Sequence, residues 1–235
     1  MPPLVLAHRG ASRRAPENTV EAFAAAVALG ADGVELDVHR TADDGLVVHH
    51  DAVAAGVGVL AESRAADIRA TRPDIPTLDE ALDTCAGRLV NIEIKNLPGD
   101  EDFDPGERAA ELVAASAQRR GHHDDVLVSS FNLPTIDHLH ALDASLPTAL
   151  LTFQGFDPLE ALHVVDERGH AALHPFVGSL AGAAAAAVTD RARELGIRVN
   201  VWTVNDEAEM RRLADAGIDG IVTDVPDLAL RALRA

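Results

Sequence analysis

The chain has 235 residues and 47% apolar side chains, enough for one large core, and α/β barrels reach this length as a single domain. Its 20 basic and 38 acidic residues leave a net charge of −18, a field that repels nucleic acid and anionic membrane surfaces and argues against both as partners. Aromatic residues make up 3% and tyrosine is absent, so Ala, Val, Leu and Ile must fill the interior.

The lone cysteine, Cys85, excludes an intramolecular disulfide and reads as a small hydrophobe within "LDEALDTCAG". The opening "MPPLVLAHRG" has no basic region and too short an apolar run for a secretory signal. No apolar stretch reaches the roughly 18–20 residues that span a bilayer. A cytoplasmic protein without stable membrane association is the expectation.

Along the chain, short β-rich runs alternate with helical patterns. Strands are expected at Leu4–His8, Gly33–Val38, Leu89–Lys95, Val126–Phe131, Thr148–Leu151, Ala171–His174, Arg198–Thr203 and Gly220–Asp224. Between them lie helical stretches such as "TVEAFAAAVALG", "GERAAELVAASAQRRG", "DPLEALHVVDERG" and "NDEAEMRRLADAG". Several end in glycine just before the next strand, as helix C-caps do: Gly30, Gly121, Gly169, Gly196 and Gly217. Eight such alternations imply a parallel sheet closed into a TIM (β/α)8 barrel, one domain over residues 1–235. "GLVVHHD", after the Asp44-Gly45 turn signal, reads as a hairpin arm folding back from the second strand. With the weakly patterned residues that follow, it forms an excursion over about 39–77. The "PENT" stretch caps the first helix on this reading, with Asn18 as N-cap and Glu21 three residues on.

The chemistry of such a barrel sits at the C-terminal ends of its strands. There the chain places His8, Arg9, Glu35, Asp37, Glu93, Lys95, Ser130, Phe131, His174, Trp202 and Asp224, and the hairpin arm returns His49, His50 and Asp51 to the same rim. Each residue alone has an ordinary reading: Glu35 and Asp37 as a solvated strand face, Glu93 and Lys95 as a surface pair, Trp202 as core. Together they resist it. Helices cover the outside of a parallel barrel, so inward charges near the strand tops need partners or a ligand. Glu35, Asp37 and Glu93 offer an all-oxygen set suited to one hard divalent cation, Mg²⁺ or Ca²⁺ with Mn²⁺ also fitting, rather than zinc. Arg9 and Lys95 supply phosphate-binding cations. His8 and His50 supply acid and base near neutral pH. Cation, phosphate binders and two imidazoles together spell phosphoester cleavage.

The motifs HRG (His8–Gly10), PENT (Pro16–Thr19), ELDV (Glu35–Val38), HD (His50-Asp51), IPTLDEAL (Ile75–Leu82), NIEIK (Asn91–Lys95), SSF (Ser129–Phe131), VNVWTVN (Val199–Asn205) and DGIVTDVPD (Asp219–Asp227) run in order through the chain. As a set they resemble the glycerophosphodiester phosphodiesterase family. The resemblance implies a barrel enzyme that hydrolyses glycerophosphodiesters to sn-glycerol 3-phosphate and an alcohol. It implies metal ligands at Glu35, Asp37 and Glu93, an acid–base pair at His8 and His50, and phosphate contacts from Arg9 and Lys95. The substrate's own glycerol hydroxyl is expected to attack phosphorus, giving a cyclic phosphate that water opens, with His50 as acid and His8 as base in the first step. Trp202 and Phe131 are expected to border the glycerol pocket. Glu17 is expected beside the site, holding the metal or an arginine. His49, His122 and His123 fall outside the family's motif positions and are expected on the surface.

The chain departs from the family after His50-Asp51, where "AVAAGVGVLAESRAADIRA" replaces a polar run and leaves the preferred alcohol open. Two other readings stand beside this one. One is a related barrel phosphodiesterase acting on a phospholipid or lysophospholipid; the other is an idle barrel that binds a phosphorylated metabolite. The partner expected is a small-molecule substrate, and the chain is expected to be a monomer or homodimer.

Overall fold

The computed structural model describes residues 2–121 and 125–234. Eight parallel strands close on themselves: β1 (Leu4–His8), β2 (Gly33–Arg40), β6 (Leu89–Ile94), β7 (Val126–Ser130), β8 (Thr148–Thr152), β9 (Ala172–Pro175), β10 (Arg198–Val201) and β11 (Gly220–Thr223). The β1–β2 pairing, His8 opposite Glu35, completes the ring. The expected (β/α)8 barrel is therefore present, and each expected strand coincides with an observed one to within two residues at either end. The arm is also as expected: β3 (Leu46–Val48) runs antiparallel to β2 outside the ring, with Val38 opposite Val48.

The excursion holds more order than its weak pattern predicts. It contains a two-stranded ribbon, β4 (Val53–Ala54) with β5 (Gly58–Val59), and a short helix, α2 (Ala65–Thr71). Only Ile68 of that helix is buried, so no apolar periodicity announces it. A second short helix, α3 (Leu78–Thr84), was legible in principle. Thr77 and Glu80 form a reciprocal capping box, the threonine hydroxyl accepting from the Glu80 amide and the Glu80 carboxylate from the Thr77 amide.

Alternation along the strands sorts side chains into two environments. Val34, Leu36, Val38, Val90, Ile92 and Val128 point outward into an aliphatic layer shared with the helices, including Phe23 of α1 (Val20–Leu29) and Val113 of α4 (Arg108–Arg120). Cys85 belongs to this layer, and burial pushes its thiol up to about 12. Inward-pointing residues fill the barrel in steps. Leu89, Leu127, Ala149 and Ala172 form an apolar floor. Two residues further along the strands stand Asn91, Ser129 and His174, joined by Asn200, and two further again Glu93 and Phe131. Gly33 pairs with Leu89 at this level, and a Cβ there would lie 2.4 Å from the Leu89 carbonyl, so the position takes glycine.

Among the described residues no helix is long and apolar enough to cross a membrane. His122 and His123 lie outside the described residues.

Candidate active site

The turn after β1 sets the first two functional groups. Arg9 adopts φ 55° and Gly10 φ 82°, and a Cβ on Gly10 would fall 2.6 Å from the Ala22 backbone. Only glycine lets the chain turn this tightly against α1. The turn aims the Arg9 amide at Glu35 Oε2, 3.0 Å away, and the Arg9 guanidinium at Asp37, with Nε 3.2 Å from Oδ2.

The PENT stretch braces the same point from outside. Glu17 accepts from Arg9 Nη1 at 2.9 Å, the arginine contact the sequence left open, and it does not join the carboxylate cluster. Asn18 is not the helix cap. Thr19 caps α1, accepting from the Ala22 amide, while Asn18 takes φ 57° and donates to Asp37 Oδ2 at 2.8 Å. The buried Asp37 carboxylate has first claim on the asparagine amide, and the threonine hydroxyl replaces it at the helix end.

Glu35, Asp37 and Glu93 are 4%, 1% and 8% exposed, which removes the solvated-face reading. Each can offer an oxygen such that all three lie within 4.8 Å of one another, and among the described residues they form the one such group. Burial and the neighbouring Asp37 push the Glu35 carboxyl up to about 8. Burial and Asp37 likewise raise Glu93, against the pull of Lys95. Burial alone would raise Asp37, but Lys95 and Arg9 outweigh it and hold that carboxyl low. Lys95 donates to Glu93 Oε1 at 3.0 Å and stands 3.6 Å from Asp37 Oδ1. Even so, Glu35 Oε1 is buried with no hydrogen-bond partner. A crowded oxygen cluster with an orphaned carboxylate oxygen fits a hard divalent cation.

Two imidazoles flank this cluster. His8 Nδ1 meets Asp224 Oδ1 at 2.6 Å, and its Nε2 lies 3.9 Å from Glu35. Asp224 is itself anchored by Asn205, whose amide donates to Oδ2 at 2.7 Å and whose oxygen accepts from the Asp224 main chain. Burial works to lower His8, but the Asp224 hydrogen bond and the Glu35 charge prevail and raise it. His50 goes the other way: burial, Lys95 and Arg9 lower it against the pull of Asp37 and Asp51. The Asp224–His8 dyad is absent from the sequence reading. Asp224 lay in plain view in DGIVTDVPD, but a contact across 216 residues needs the closed ring to appear.

Beside the charged groups opens a cavity of about 600 Å³. His8, Arg9, His50, Glu93 and Lys95 form one wall, and Phe131, Phe153 and Trp202 another. Phe131 stacks on Phe153 with ring centres 4.0 Å apart and meets Trp202 edge-on at 5.3 Å. Phe153 was not singled out from the sequence. Glu17 does not line this cavity, and with His49 it borders a smaller adjoining one of about 210 Å³. His174 is not at the rim: it is 1% exposed inside the barrel, its Nε2 accepting from Asn200 Nδ2 at 2.9 Å, and burial pushes it down to about 3. His49 is half-buried and bonds the Asp51 carbonyl through Nδ1.

Comparison with known proteins agrees with this geometry. Residues 8–228 match the glycerophosphoryl diester phosphodiesterase family. A glycerophosphodiester phosphodiesterase of Caldanaerobacter subterraneus subsp. tengcongensis is 31% identical, over 100% of this chain and 99% of its own length. The crystal structure of a glycerophosphodiester phosphodiesterase from Thermotoga maritima superposes with a TM-score of 0.83 at 27% identity, covering 97% of each chain. An Oleispira antarctica phosphodiesterase, solved in complex with the product sn-glycerol-3-phosphate, shares the fold with a TM-score of 0.85 at 24% identity, covering 100% of this chain and 98% of that one. The chain is a phosphodiesterase, and it belongs to the glycerophosphoryl diester phosphodiesterase family.

Proposed function

We propose that the chain hydrolyses glycerophosphodiesters to sn-glycerol 3-phosphate and an alcohol, using one divalent cation, Mg²⁺, Ca²⁺ or Mn²⁺, held by Glu35, Asp37 and Glu93. The observation that carries this reading is the buried trio with its orphaned Glu35 oxygen, flanked by two imidazoles of opposite tendency. When bound, the cation supplies Lewis-acid polarisation of a phosphoryl oxygen. The chain's own residues do the rest. Lys95 and the Arg9 guanidinium hold the phosphate, and Trp202 and Phe131 hold the glycerol carbons against an apolar face.

His8 Nε2 removes the proton from the glycerol hydroxyl next to the phosphoester. That oxygen bonds to phosphorus while the bond to the alcohol oxygen breaks, and His50 protonates the departing oxygen. Water then opens the cyclic phosphate with the two roles exchanged, which returns both rings to their starting state. Asp224 and Glu35 stabilise the charge His8 gains on taking the glycerol proton, and Lys95 and Arg9 favour release of the His50 proton to the departing oxygen. Asp224 holds the His8 ring in the tautomer that leaves Nε2 free. The enzyme works as a single domain on a small-molecule substrate, as monomer or homodimer.

The test is glycerol 3-phosphate release from glycerophosphocholine and glycerophosphoethanolamine, after chelation and after each cation is restored singly. Release that stops on chelation and returns with one cation is the expected result. A folded protein that releases nothing with any cation would overturn the substrate assignment.

A further inference from the structure

One buried pair beside the mouth has no part in the chemistry just described. His39 lies two residues beyond Asp37 on β2 and is 1% exposed. Its Nδ1 meets Asp102 Oδ2 at 2.6 Å, and its Nε2 meets the main-chain oxygen of His50 at 3.2 Å. A carbonyl oxygen only accepts, so Nε2 carries the hydrogen and donates it. The short contact to the Asp102 carboxyl, also buried at 3% side-chain exposure, fixes the plane of the ring.

We propose that His39, clamped by Asp102, is a positioning residue that holds His50 within reach of the leaving alcohol. The inference rests on the reading of His50 as acid. The arm that carries His50 is tied to the barrel by the Val38–Val48 pair and by the His49 amide donating to the Asp37 carbonyl at 3.1 Å. His50 lies past that last ladder bond. Its ring meets Asp51 at 2.7 Å, but the Asp51 side chain is 71% exposed, and a solvent-screened pair constrains little. The His39 bond acts on the His50 backbone from a dry site, where a hydrogen bond holds its geometry far better. Asp102 also belongs to the segment between β6 and α4, whose Leu97, Asp100 and Glu101 line the cavity. The chain Asp102–His39–His50 therefore joins that wall to the acid.

Misplacing a catalytic group by about 1 Å costs on the order of 10²-fold in turnover. His39→Leu is accordingly expected to lower kcat on glycerophosphocholine by about 10–100-fold, with KM and cation affinity nearly unchanged. A p-nitrophenyl ester of glycerol phosphate, whose leaving group needs no proton, should be largely spared. His39→Gln restores an N–H toward the His50 carbonyl and should recover part of the loss. Equal losses on both substrates, or a loss carried wholly by KM, would overturn the tether. If His39→Leu does not fold, Asp102→Asn and His39→Gln carry the same comparison. His50→Ala, assayed alongside, separates the two claims. No selective loss in His50→Ala removes His50 from the acid role and the tether with it. A selective loss there, unmatched in the His39 variants, removes the tether alone.

Discussion

The barrel interior changes character between its mouth and the layers below. At the mouth, three buried carboxylates crowd together, and Arg9 and Lys95 offset them only in part. Below, Asn91 donates to Ser129 at 3.1 Å and Asn200 to His174 at 2.9 Å, neutral pairs formed within the protein, over the apolar floor of Leu89, Leu127, Ala149 and Ala172. The contrast separates two uses of inward-facing positions. The lower layers hold only neutral groups: Asn91 Oδ1, Asn200 Oδ1 and His174 Nδ1 also lack partners there, but a neutral atom left so costs less than a buried carboxylate. The mouth buries charge that its own cations offset only in part, and under the proposed function a cation with a phosphodiester answers it.

That difference breaks if mouth substitutions cost stability or lower-layer substitutions act first on chemistry. The largest expected effect is Glu35→Gln: turnover falls to the level of chelated protein, while thermal unfolding of the two chelated proteins stays nearly the same, because glutamine has the same shape and the crowded Glu35 carboxyl is already pushed up to about 8. Full turnover in this variant would remove Glu35 from the cation site. Next is His8→Ala, expected to lower kcat by about 10²–10⁴-fold, the usual range for a lost acid or base. Asp224→Asn should fall short of that loss, since His8 keeps its place and loses only its orienting carboxylate. A loss in Asp224→Asn greater than in His8→Ala would contradict the dyad.

Leu127→Ala acts on the floor. It should cost about 2–5 kcal/mol of stability in a denaturant titration, and kcat per folded molecule should hold. The smallest effect at neutral pH is that of His174, which shows only as the pH falls. Burial pushes His174 down to about 3, below its ordinary 6.5, so the unfolded chain binds a proton there that the folded chain does not. Its contribution is present above pH 6.5 and is lost as pH falls from 6.5 toward 3, at no more than about 1.4 kcal/mol per pH unit. His174→Gln should flatten that part of the stability–pH curve. A curve identical to that of the parent would mean that the ring is protonated in place.

What the sequence revealed, and what it hid, follows the same division. The eight strands were legible because short β-rich runs alternate with helical patterns and glycines mark the helix ends. The carboxylates at Glu35, Asp37 and Glu93 were legible because i, i+2 spacing on a covered strand leaves charges no solvent. Residues defined by what they touch across the ring were hidden. Asp224 orients His8 from the last strand, and His39 reaches Asp102 across 63 residues. Asn18 misled for a related reason. Its local spacing suits a helix cap, but a buried carboxylate brought up by the next strand claims its amide.

The central claim is that the trio holds one working cation. Calorimetric titration of the chelated protein, in parent and Glu35→Gln form, tests it most directly. One divalent cation bound per parent chain and none by Glu35→Gln at the same concentrations is the expected result. Equal binding by both proteins, or undiminished glycerol 3-phosphate release from the chelated parent, would contradict it.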